Sequence, residues 1–242
     1  MFAGPNGSGK STLKLHLPPA LLGVYLNPDE LEQEIRRQTW LDFTTYGVAT
    51  AATEVLSFFH NSTFLQDAGL GEVVSQLIFS GNRLEFGRLA VNSYLASVAS
   101  DFLRQKLMAD HHSFTLETVM SHASKVALLA QAQAAGYRTY LYFVATDDPA
   151  INISRVRNRV RLGGHAVPED RITTRYHRSL ELLMPAIRHT NRAYIFDNTG
   201  DDPEKGHTWL AEITEGRKLE LKTNRIPAWF KRAVLDKITA SS

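Results

Sequence analysis

A glycine-rich octapeptide near the start of the chain restricts the possible folds more than any other part of the sequence. It reads Gly4-Pro5-Asn6-Gly7-Ser8-Gly9-Lys10-Ser11, with Thr12 after it, and fills every fixed position of the pattern G-x-x-x-x-G-K-[ST]. In such a loop the backbone N–H groups and the positive end of the following helix surround a β-phosphate. Lys10 would contact the β and γ oxygens, and the Ser11 hydroxyl would bind Mg²⁺. The pattern predicts a site for ATP or GTP with Mg²⁺ at residues 4–12; the alternative is a glycine-rich turn that only precedes a helix.

The composition excludes several classes of protein. With 242 residues, of which 43% are hydrophobic and 21% charged, the chain is neither disordered nor fibrous and is long enough for one large domain with an insertion. A net charge of +2 gives no overall attraction to nucleic acid or membrane, and the absence of cysteine excludes disulfides and thiol catalysis. No apolar run approaches the roughly 18 residues of a membrane span. We therefore expect a cytoplasmic protein with neither a membrane nor nucleic acid as partner.

Strand and helix patterns alternate along the chain, apart from one long interruption. Apolar runs that predict strands lie at 22–26, 113–116, 139–145 and 193–196, and a further strand or hairpin is expected at 212–221. Helical spacing predicts helices at 10–16, from 28 to about 37, and at 229–238. Between about 40 and 110, apolar residues recur at three- and four-residue spacing without clear alternation, which predicts an inserted helical subdomain.

This order of elements favours an α/β fold of the P-loop kinase type. We expect a single domain over 1–242, with three layers α/β/α, a mostly parallel sheet, the helical insertion, and an arginine-rich lid at about 153–176. Only three residues precede Gly4, so the strand leading into the loop is either a stub or clipped. Since the sequence contains neither an LSGGQ-type signature nor an NKxD motif, transport motors and GTP switches are excluded.

An aspartate follows the predicted strand 22–26. Asp29 comes directly after Asn27 and Pro28, which suit the cap and first position of a helix. Open α/β sheets bind ligands at the carboxyl ends of their strands, and a carboxylate there can accept the proton of an attacking hydroxyl. Asp29 is therefore the predicted catalytic base and part of the acceptor site. The alternative is a first-turn carboxylate that only stabilises the helix dipole.

Glu117 and Thr118 end the predicted strand 113–116 in the same way. Their carboxylate and hydroxyl are predicted to bind the acceptor substrate, together with Ser121. The alternative is a strand-end turn held by Thr118 or Ser121.

Arginines alternate through the helix predicted after residue 150. Arg155 and Arg159 share one helical face and Arg157 and Arg161 another, so only one pair can face a phosphate. We predict that Arg159 and Arg155, with Arg175 as the next candidate, neutralise the charge of the transferred phosphoryl group when a glycine-flanked lid closes. The alternative is a solvated basic face, above all for Arg157 and Arg161.

Three further polar features are less specific. Asp197 and Asn198 close the last predicted parallel strand, where nucleotide-binding folds place a loop that contacts adenine; a turn without function is the alternative. Asp147 follows strand 139–145 in the manner of a Mg²⁺ ligand of ATPases, but the arginine-rich helix behind it argues against that role. His111-His112 lacks a spaced third metal ligand and is predicted to lie at the surface.

Taken together, these segments resemble the zeta toxin family. The matching positions are residues 4–12, Asn27-Pro28-Asp29-Glu30, residues 114–121, Arg159-Val160, Gly163-Gly164-His165, Val167-Pro168 and Asp197-Asn198. The resemblance implies an ATP- or GTP-dependent kinase related to UDP-N-acetylglucosamine kinase, which phosphorylates the sugar 3′-hydroxyl and is often held in check by a small antitoxin protein. It also implies the roles of four residues: Lys10 as the loop lysine, Asp29 as the base, Glu117 as the substrate-binding glutamate and Arg159 as a lid arginine.

The sequence also departs from the family pattern. Val119 stands where a threonine commonly follows the glutamate by two residues, so Thr118 or Ser121 would have to replace it. The paired glycines with His165 resemble the chromosomal zeta-like branch, whose acceptors are less uniform. Kinases of another acceptor, such as a nucleoside, NAD or a nucleic-acid end, and a nucleotide-gated binding protein without a phosphorylated product, are therefore the alternatives.

Overall fold

The computed structural model describes residues 1–164, 166–200 and 206–239. The chain divides into two compact units, the first made of residues 1–18 and 118–242 and the second of residues 19–117. The phosphate loop and the predicted lid therefore belong to the first unit, whereas Asp29 and Glu117 belong to the second.

The elements follow one another in a largely alternating order. The strands are β1 (Phe2–Ala3), β2 (Val24–Leu26), β3 (Trp40–Asp42), β4 (Ile78–Ser80), β5 (Arg83–Glu85), β6 (Phe114–Thr118), β7 (Tyr140–Ala145), β8 (Arg192–Asp197), β9 (Thr208–Thr214) and β10 (Lys218–Leu221). The α-helices are α1 (Lys10–Lys14), α2 (Pro28–Gln38), α3 (Ala52–His60), α4 (Thr63–Asp67), α5 (Gly71–Val74), α6 (Ser93–Ala109), α7 (Ala123–Ala134), α8 (Pro149–Arg161), α9 (Glu169–Glu181), α10 (Leu183–Ile187), α11 (Ala228–Phe230) and α12 (Asp236–Thr239). A π-helical stretch, Lys231–Leu235, joins α11 to α12.

The first unit is built on strands in the order β10-β9-β8-β7-β1. The strands β1, β7 and β8 run parallel, with Tyr142 between Phe2 and Tyr194, and β9 and β10 continue the sheet as an antiparallel hairpin. The interior run Phe143, Val144 and Ala145 is fully buried, as expected for a parallel strand covered on both faces. The strands predicted at 139–145 and 193–196 are confirmed, and residues 212–221 belong to the hairpin.

The stub that precedes the phosphate loop is held by packing as well as by its ladder. Phe2 is buried, and its ring stacks on that of Tyr142 with 4.9 Å between centroids. At the other end of the unit, the helical segment 228–239 confirms the predicted closing helix. It buries Trp229 and Phe230 in the same core as Phe143 and Ile195. The sheet that carries the loop is therefore fixed from both ends of the chain.

The second unit contains the predicted strand and helix on either side of Asn27. Strands β2 and β6 pair in parallel, with Leu26 beside Leu116. The side chain of Asn27 accepts a hydrogen bond from the N–H of Asp29 at 3.0 Å, and Pro28 occupies the first position of α2. Helix α2 packs against α6 and buries Leu31 and Ile35. The N-cap, first position and helix predicted from the sequence are thus confirmed.

The segment predicted as a purely helical insertion also contains a small sheet. Besides α3 to α6, it holds the antiparallel strands β3-β5-β4. Each of these strands has only three residues, too few for an alternating pattern to stand out against helical spacing. The turn between β4 and β5 has a signature, because Gly81 and Asn82 both have positive φ, 56° and 62°, as a two-residue hairpin of type I′ requires.

The expected α/β class with a mostly parallel sheet is confirmed. Within the described residues, no helix combines the length and the apolar character that crossing a lipid bilayer requires.

Candidate active site

The phosphate loop has the backbone that its glycines predict. Gly4 has φ 141°, and a Cβ there would lie 2.0 Å from the carbonyl oxygen of Val144. Gly9 has φ 95°, and its Cβ would lie 2.3 Å from Nδ2 of Asn198. Both positions therefore exclude any side chain, because the loop runs directly against β7 and against the residues that follow β8.

Lys10 is buried within its own loop. Its Nζ donates hydrogen bonds to the carbonyl oxygens of Gly4 at 2.8 Å and Pro5 at 3.0 Å, and only 8% of the residue is exposed. These carbonyls hold the ammonium group at the mouth of the loop, next to the start of α1. This is the placement that contact with β and γ phosphate oxygens requires.

Two asparagine amides bind further loop carbonyls. Nδ2 of Asn152, on α8, donates to the carbonyl of Asn6 at 2.6 Å. Nδ2 of Asn198, directly after β8, donates to the carbonyl of Ser8 at 2.8 Å. In a trans peptide the carbonyl and the next N–H point in opposite directions. Holding these two carbonyls from outside therefore turns the following N–H groups toward the interior of the loop.

A histidine binds a fifth loop carbonyl. Nε2 of His207 lies 2.9 Å from the carbonyl oxygen of Gly9, and because a carbonyl only accepts, Nε2 carries the proton. The other ring nitrogen, Nδ1, is buried and has no hydrogen-bond partner in the part of the chain that the structure describes. The neutral ring thus fits this position, and a second proton would have no acceptor.

Two side chains of the loop itself have unsatisfied atoms. Oγ of Ser8 and Oδ1 of Asn6 are buried and have no hydrogen-bond partner within residues 1–164, 166–200 and 206–239. Native structures contain few such atoms, and a ligand is one explanation for them. The loop therefore combines inward N–H groups, a held ammonium and an unsatisfied hydroxyl, which fits a phosphate chain.

The predicted lid arginines lie in different environments. Arg155 donates to the carbonyls of Asn198 at 2.7 Å and Gly200 at 2.9 Å, so its guanidinium holds the segment after β8. Arg157 is exposed and pairs with Glu169 at 2.6 Å. Arg159 is exposed on α8. The sequence predicts that Arg155 and Arg159 share one helical face. Arg155 supports the phosphate loop indirectly, because it holds Asn198, which in turn holds the Ser8 carbonyl.

The other arginines of the predicted lid lie at the end of α8 and on α9. Arg175 is half-buried on α9, whereas Arg161 is exposed at the end of α8, as expected for a solvated basic face. His165 lies outside the described residues.

The aspartates after β7 and β8 form a structural network. Oδ1 of Asp197 accepts hydrogen bonds from Nε1 of Trp229 at 2.8 Å and from the hydroxyl of Thr199 at 2.7 Å. The backbone N–H of Trp229 donates to Oδ1 of Asp147 at 3.2 Å, and that of Asp147 donates to the Thr199 hydroxyl at 3.0 Å. These contacts tie the ends of two strands to the closing helix.

The second unit carries a polar cluster at the ends of β2 and β6. The phenol of Tyr25 donates a short hydrogen bond to Oε2 of Glu117. The side chain of Asp29 is exposed on the first turn of α2, beyond Asn27. Asp29 and Glu117 thus stand at the carboxyl ends of paired parallel strands, as the sequence predicts.

Thr118 and Ser121 lie in the first unit, in the turn after β6. The hydroxyl of Thr118 accepts a hydrogen bond from the N–H of Met120 at 3.1 Å, and Met120 has a positive φ of 54°. This is the strand-end turn that the sequence left open as the alternative for Thr118. Ser121 is half-buried.

The predicted surface position of the paired histidines is confirmed, since His111 and His112 are both exposed. Among the described residues, no group of three or more metal-ligating side chains is found.

Sequence reasoning missed Asn152, His207 and Tyr25. Asn152, on α8, and His207, before β9, are part of no recognisable sequence motif. Each contacts the loop only after the chain has folded back over more than a hundred residues. Tyr25 had a signal: it stands two residues before Asn27 and is the polar member of an otherwise apolar strand.

We expect a pH dependence that comes from His207. Burial, and secondarily the charges of His16 and Arg155, lower the pKa of His207 below its usual 6.5, although the Gly9 carbonyl acts in the opposite direction. The unfolded chain therefore binds this proton more readily than the folded one. The stabilisation is complete above about pH 6.5 and is lost as the pH falls through the lowered folded value. Denaturant unfolding at several pH values between about 5 and 8 measures it.

A glutamine variant isolates this contribution. His207→Gln keeps an N–H donor but does not titrate, so its free energy of unfolding should fall less steeply with acidification. His60→Gln, at an exposed position of the second unit, is the control and should behave as wild type. An identical pH slope in wild type and His207→Gln would contradict the role of this histidine.

Comparisons with known proteins give a family match over part of the chain and a shared fold. Residues 93–202 match the model of the Zeta toxin family. An uncharacterized protein of Haemophilus influenzae is 30% identical over 66 residues, which make up 27% of this chain and 47% of that protein. The match therefore spans about half the length of this relative.

Two solved structures of AvrRxo1-ORF1 in complex with AvrRxo1-ORF2 share the fold. One contains sulphate ions and the other ATP; both give a TM-score of 0.54, at 14% and 15% identity respectively. The match covers 98% of this chain and 62% of theirs, so the chain spans less than two thirds of the length of these proteins.

The glycine-rich loop, its buried lysine and the mostly parallel sheet define an α/β fold of the P-loop kinase type. The resemblance to the zeta toxin family that the sequence predicts is confirmed over residues 93–202, the part of the chain that matches the family model.

Proposed function

We propose that this protein is a kinase that transfers the γ-phosphoryl group of ATP or GTP to a hydroxyl of a small molecule. The acceptor proposed is the 3′-hydroxyl of UDP-N-acetylglucosamine or of a related sugar nucleotide. The observation that carries the proposal is the loop whose carbonyls are held by Lys10, Asn152, Asn198 and His207. The match of residues 93–202 to the zeta toxin family model supports phosphoryl transfer, and the choice of acceptor rests on that family resemblance.

The nucleotide site in this proposal consists of residues 4–12. The inward N–H groups and Lys10 bind the phosphates, and Ser11, exposed on the first turn of α1, holds Mg²⁺. The nucleotide supplies the phosphoryl group, and the metal neutralises part of its charge. Asn198 contributes by supporting the loop, since it holds the Ser8 carbonyl, whereas Asp197 holds Thr199 and Trp229 beside it.

The acceptor site in this proposal consists of side chains at the ends of β2 and β6. Asp29 accepts the proton of the attacking hydroxyl, and Glu117 binds and orients the acceptor, with Thr118 and Ser121 nearby in sequence. Arg159 and Arg175 neutralise charge on the transferred group. Positioning and electrostatics account for most of the rate enhancement in such a transfer.

The test uses γ-labelled ATP with a panel of acceptors. UDP-sugars, nucleosides, NAD and short oligonucleotides are incubated with the protein, and mass spectrometry identifies whichever takes the label. A labelled UDP-sugar supports the proposal in full, and another labelled small molecule keeps the kinase but replaces the acceptor. Steep loss of activity with salt would identify a polynucleotide acceptor instead. Nucleotide hydrolysis without a phosphorylated product would contradict the kinase.

A small antitoxin protein is the proposed partner. The support is the match of residues 93–202 to the zeta toxin family model, together with the AvrRxo1-ORF1 structures, each of which contains AvrRxo1-ORF2. Growth arrest on expression of the chain alone, relieved by co-expression of a protein encoded beside it, is the expected result. Arrest that no neighbouring protein relieves would contradict the partner.

A further inference from the structure

The pairing of strands β2 and β6 brings Tyr25 into hydrogen-bond contact with Glu117. In the parallel register of β2 and β6, Tyr25 stands beside Thr115, and Leu26 beside Leu116. Side chains alternate between the faces of a strand. Leu26 and Leu116 are buried on one face, so Tyr25 and Glu117 share the other.

The contact has a fixed direction. The phenol oxygen of Tyr25 donates its proton to Oε2 of Glu117. Burial and the adjacent carboxylates of Glu117 and Glu30 raise the pKa of Tyr25, so the phenol remains protonated throughout the physiological range. Tyr25 is therefore a permanent donor, and hydrogen bonds to charged groups are stronger and more directional than neutral ones.

The contact also links the two predicted acceptor residues. Tyr25 precedes Asn27, which caps the helix that carries Asp29, by two residues. Both oxygens of a carboxylate turn together, so fixing Oε2 of Glu117 fixes the direction of the whole group. A phenylalanine at position 25 would fill the same space without this restraint.

We propose that Tyr25 is a positioning residue that holds the carboxylate of Glu117 in the orientation in which it binds the acceptor hydroxyl. The inference rests on the proposed kinase function, and it assigns Tyr25 to acceptor recognition rather than to the chemical step. A single charged hydrogen bond of this kind corresponds to roughly a 10- to 100-fold effect on binding.

The chain provides a matched control. Tyr46, in the same unit, donates to Oε2 of Glu34 at 2.6 Å, and burial and Glu34 raise its pKa as well. Tyr46→Phe and Tyr25→Phe each remove one phenol that is bonded to a glutamate. A general cost of losing such a bond should be seen in both variants, whereas an effect on the acceptor should be seen only in Tyr25→Phe.

The experiment measures acceptor and ATP kinetics for both variants, using the acceptor identified by labelling. We expect Tyr25→Phe to raise KM for the acceptor about tenfold or more, with kcat within about threefold and KM for ATP unchanged, and Tyr46→Phe to resemble wild type. In a Glu117→Gln background, Tyr25→Phe should add little, because its action passes through Glu117.

The outcomes separate the two proposals. If wild type labels an acceptor but Tyr25→Phe matches Tyr46→Phe, or if Tyr25→Phe weakens ATP and acceptor alike, the positioning role is overturned and the kinase stands. An additive effect in the Glu117→Gln background also overturns it. If wild type neither labels nor binds any acceptor, both proposals fail.

Discussion

Replacing Asp29 with asparagine is expected to reduce phosphoryl transfer by about 10²- to 10⁴-fold while nucleotide binding is retained, since that is the usual contribution of a general base. The amide keeps the size of the side chain but cannot accept the proton of the attacking hydroxyl. Steady-state transfer assays and a nucleotide-binding titration on the same preparation measure the two quantities.

The alternative is that Asp29 only stabilises the dipole of α2, and a variant of Asp170 is the control for that effect. Asp170 is the second residue of α9, as Asp29 is of α2, and both are exposed first-turn carboxylates. Asp170→Asn should therefore lose the same dipole stabilisation, about 0.3–1 kcal/mol, without loss of transfer. If the Asp29→Asn variant turned over like Asp170→Asn, Asp29 would have no part in the mechanism.

Replacing Lys10 with alanine is expected to reduce transfer by at least about 10²- to 10³-fold. The variant lacks the preorganised ammonium group that would stabilise the negative charge of the transferred phosphoryl group. It also leaves the carbonyls of Gly4 and Pro5 without their donor, so nucleotide affinity should fall as well. Growth arrest caused by expression of the chain should disappear with the activity.

Lys14→Ala is the matched control for this variant. Lys14 lies on the same helix, one turn beyond Lys10, and is not part of the phosphate loop. It should retain transfer and growth arrest. If Lys10→Ala still arrested growth at equal expression, the arrest would not depend on phosphoryl transfer, and the proposed function would be contradicted.

Local sequence predicted a large part of the fold because the signals were short in range. Asn27 and Pro28 start α2 through contacts within three residues, and the apolar run at 139–145 forms a buried parallel strand for reasons of composition alone. The strands β3, β4 and β5 escaped prediction since three residues give too little pattern to separate alternation from helical spacing. The Gly81-Asn82 turn was the available signal.

The sequence by itself determined the phosphate loop, because Gly4, Gly9 and Lys10 are dictated by a backbone path only a few residues long. Only the tertiary structure decided what supports that loop and the acceptor cluster. Asn152, Asn198 and His207 reach the loop from 146, 190 and 198 residues away, and Tyr25 reaches Glu117 across 92 residues. Hydrogen bonds of this kind depend on the distance between atoms after folding, to which the spacing of residues along the chain gives no guide.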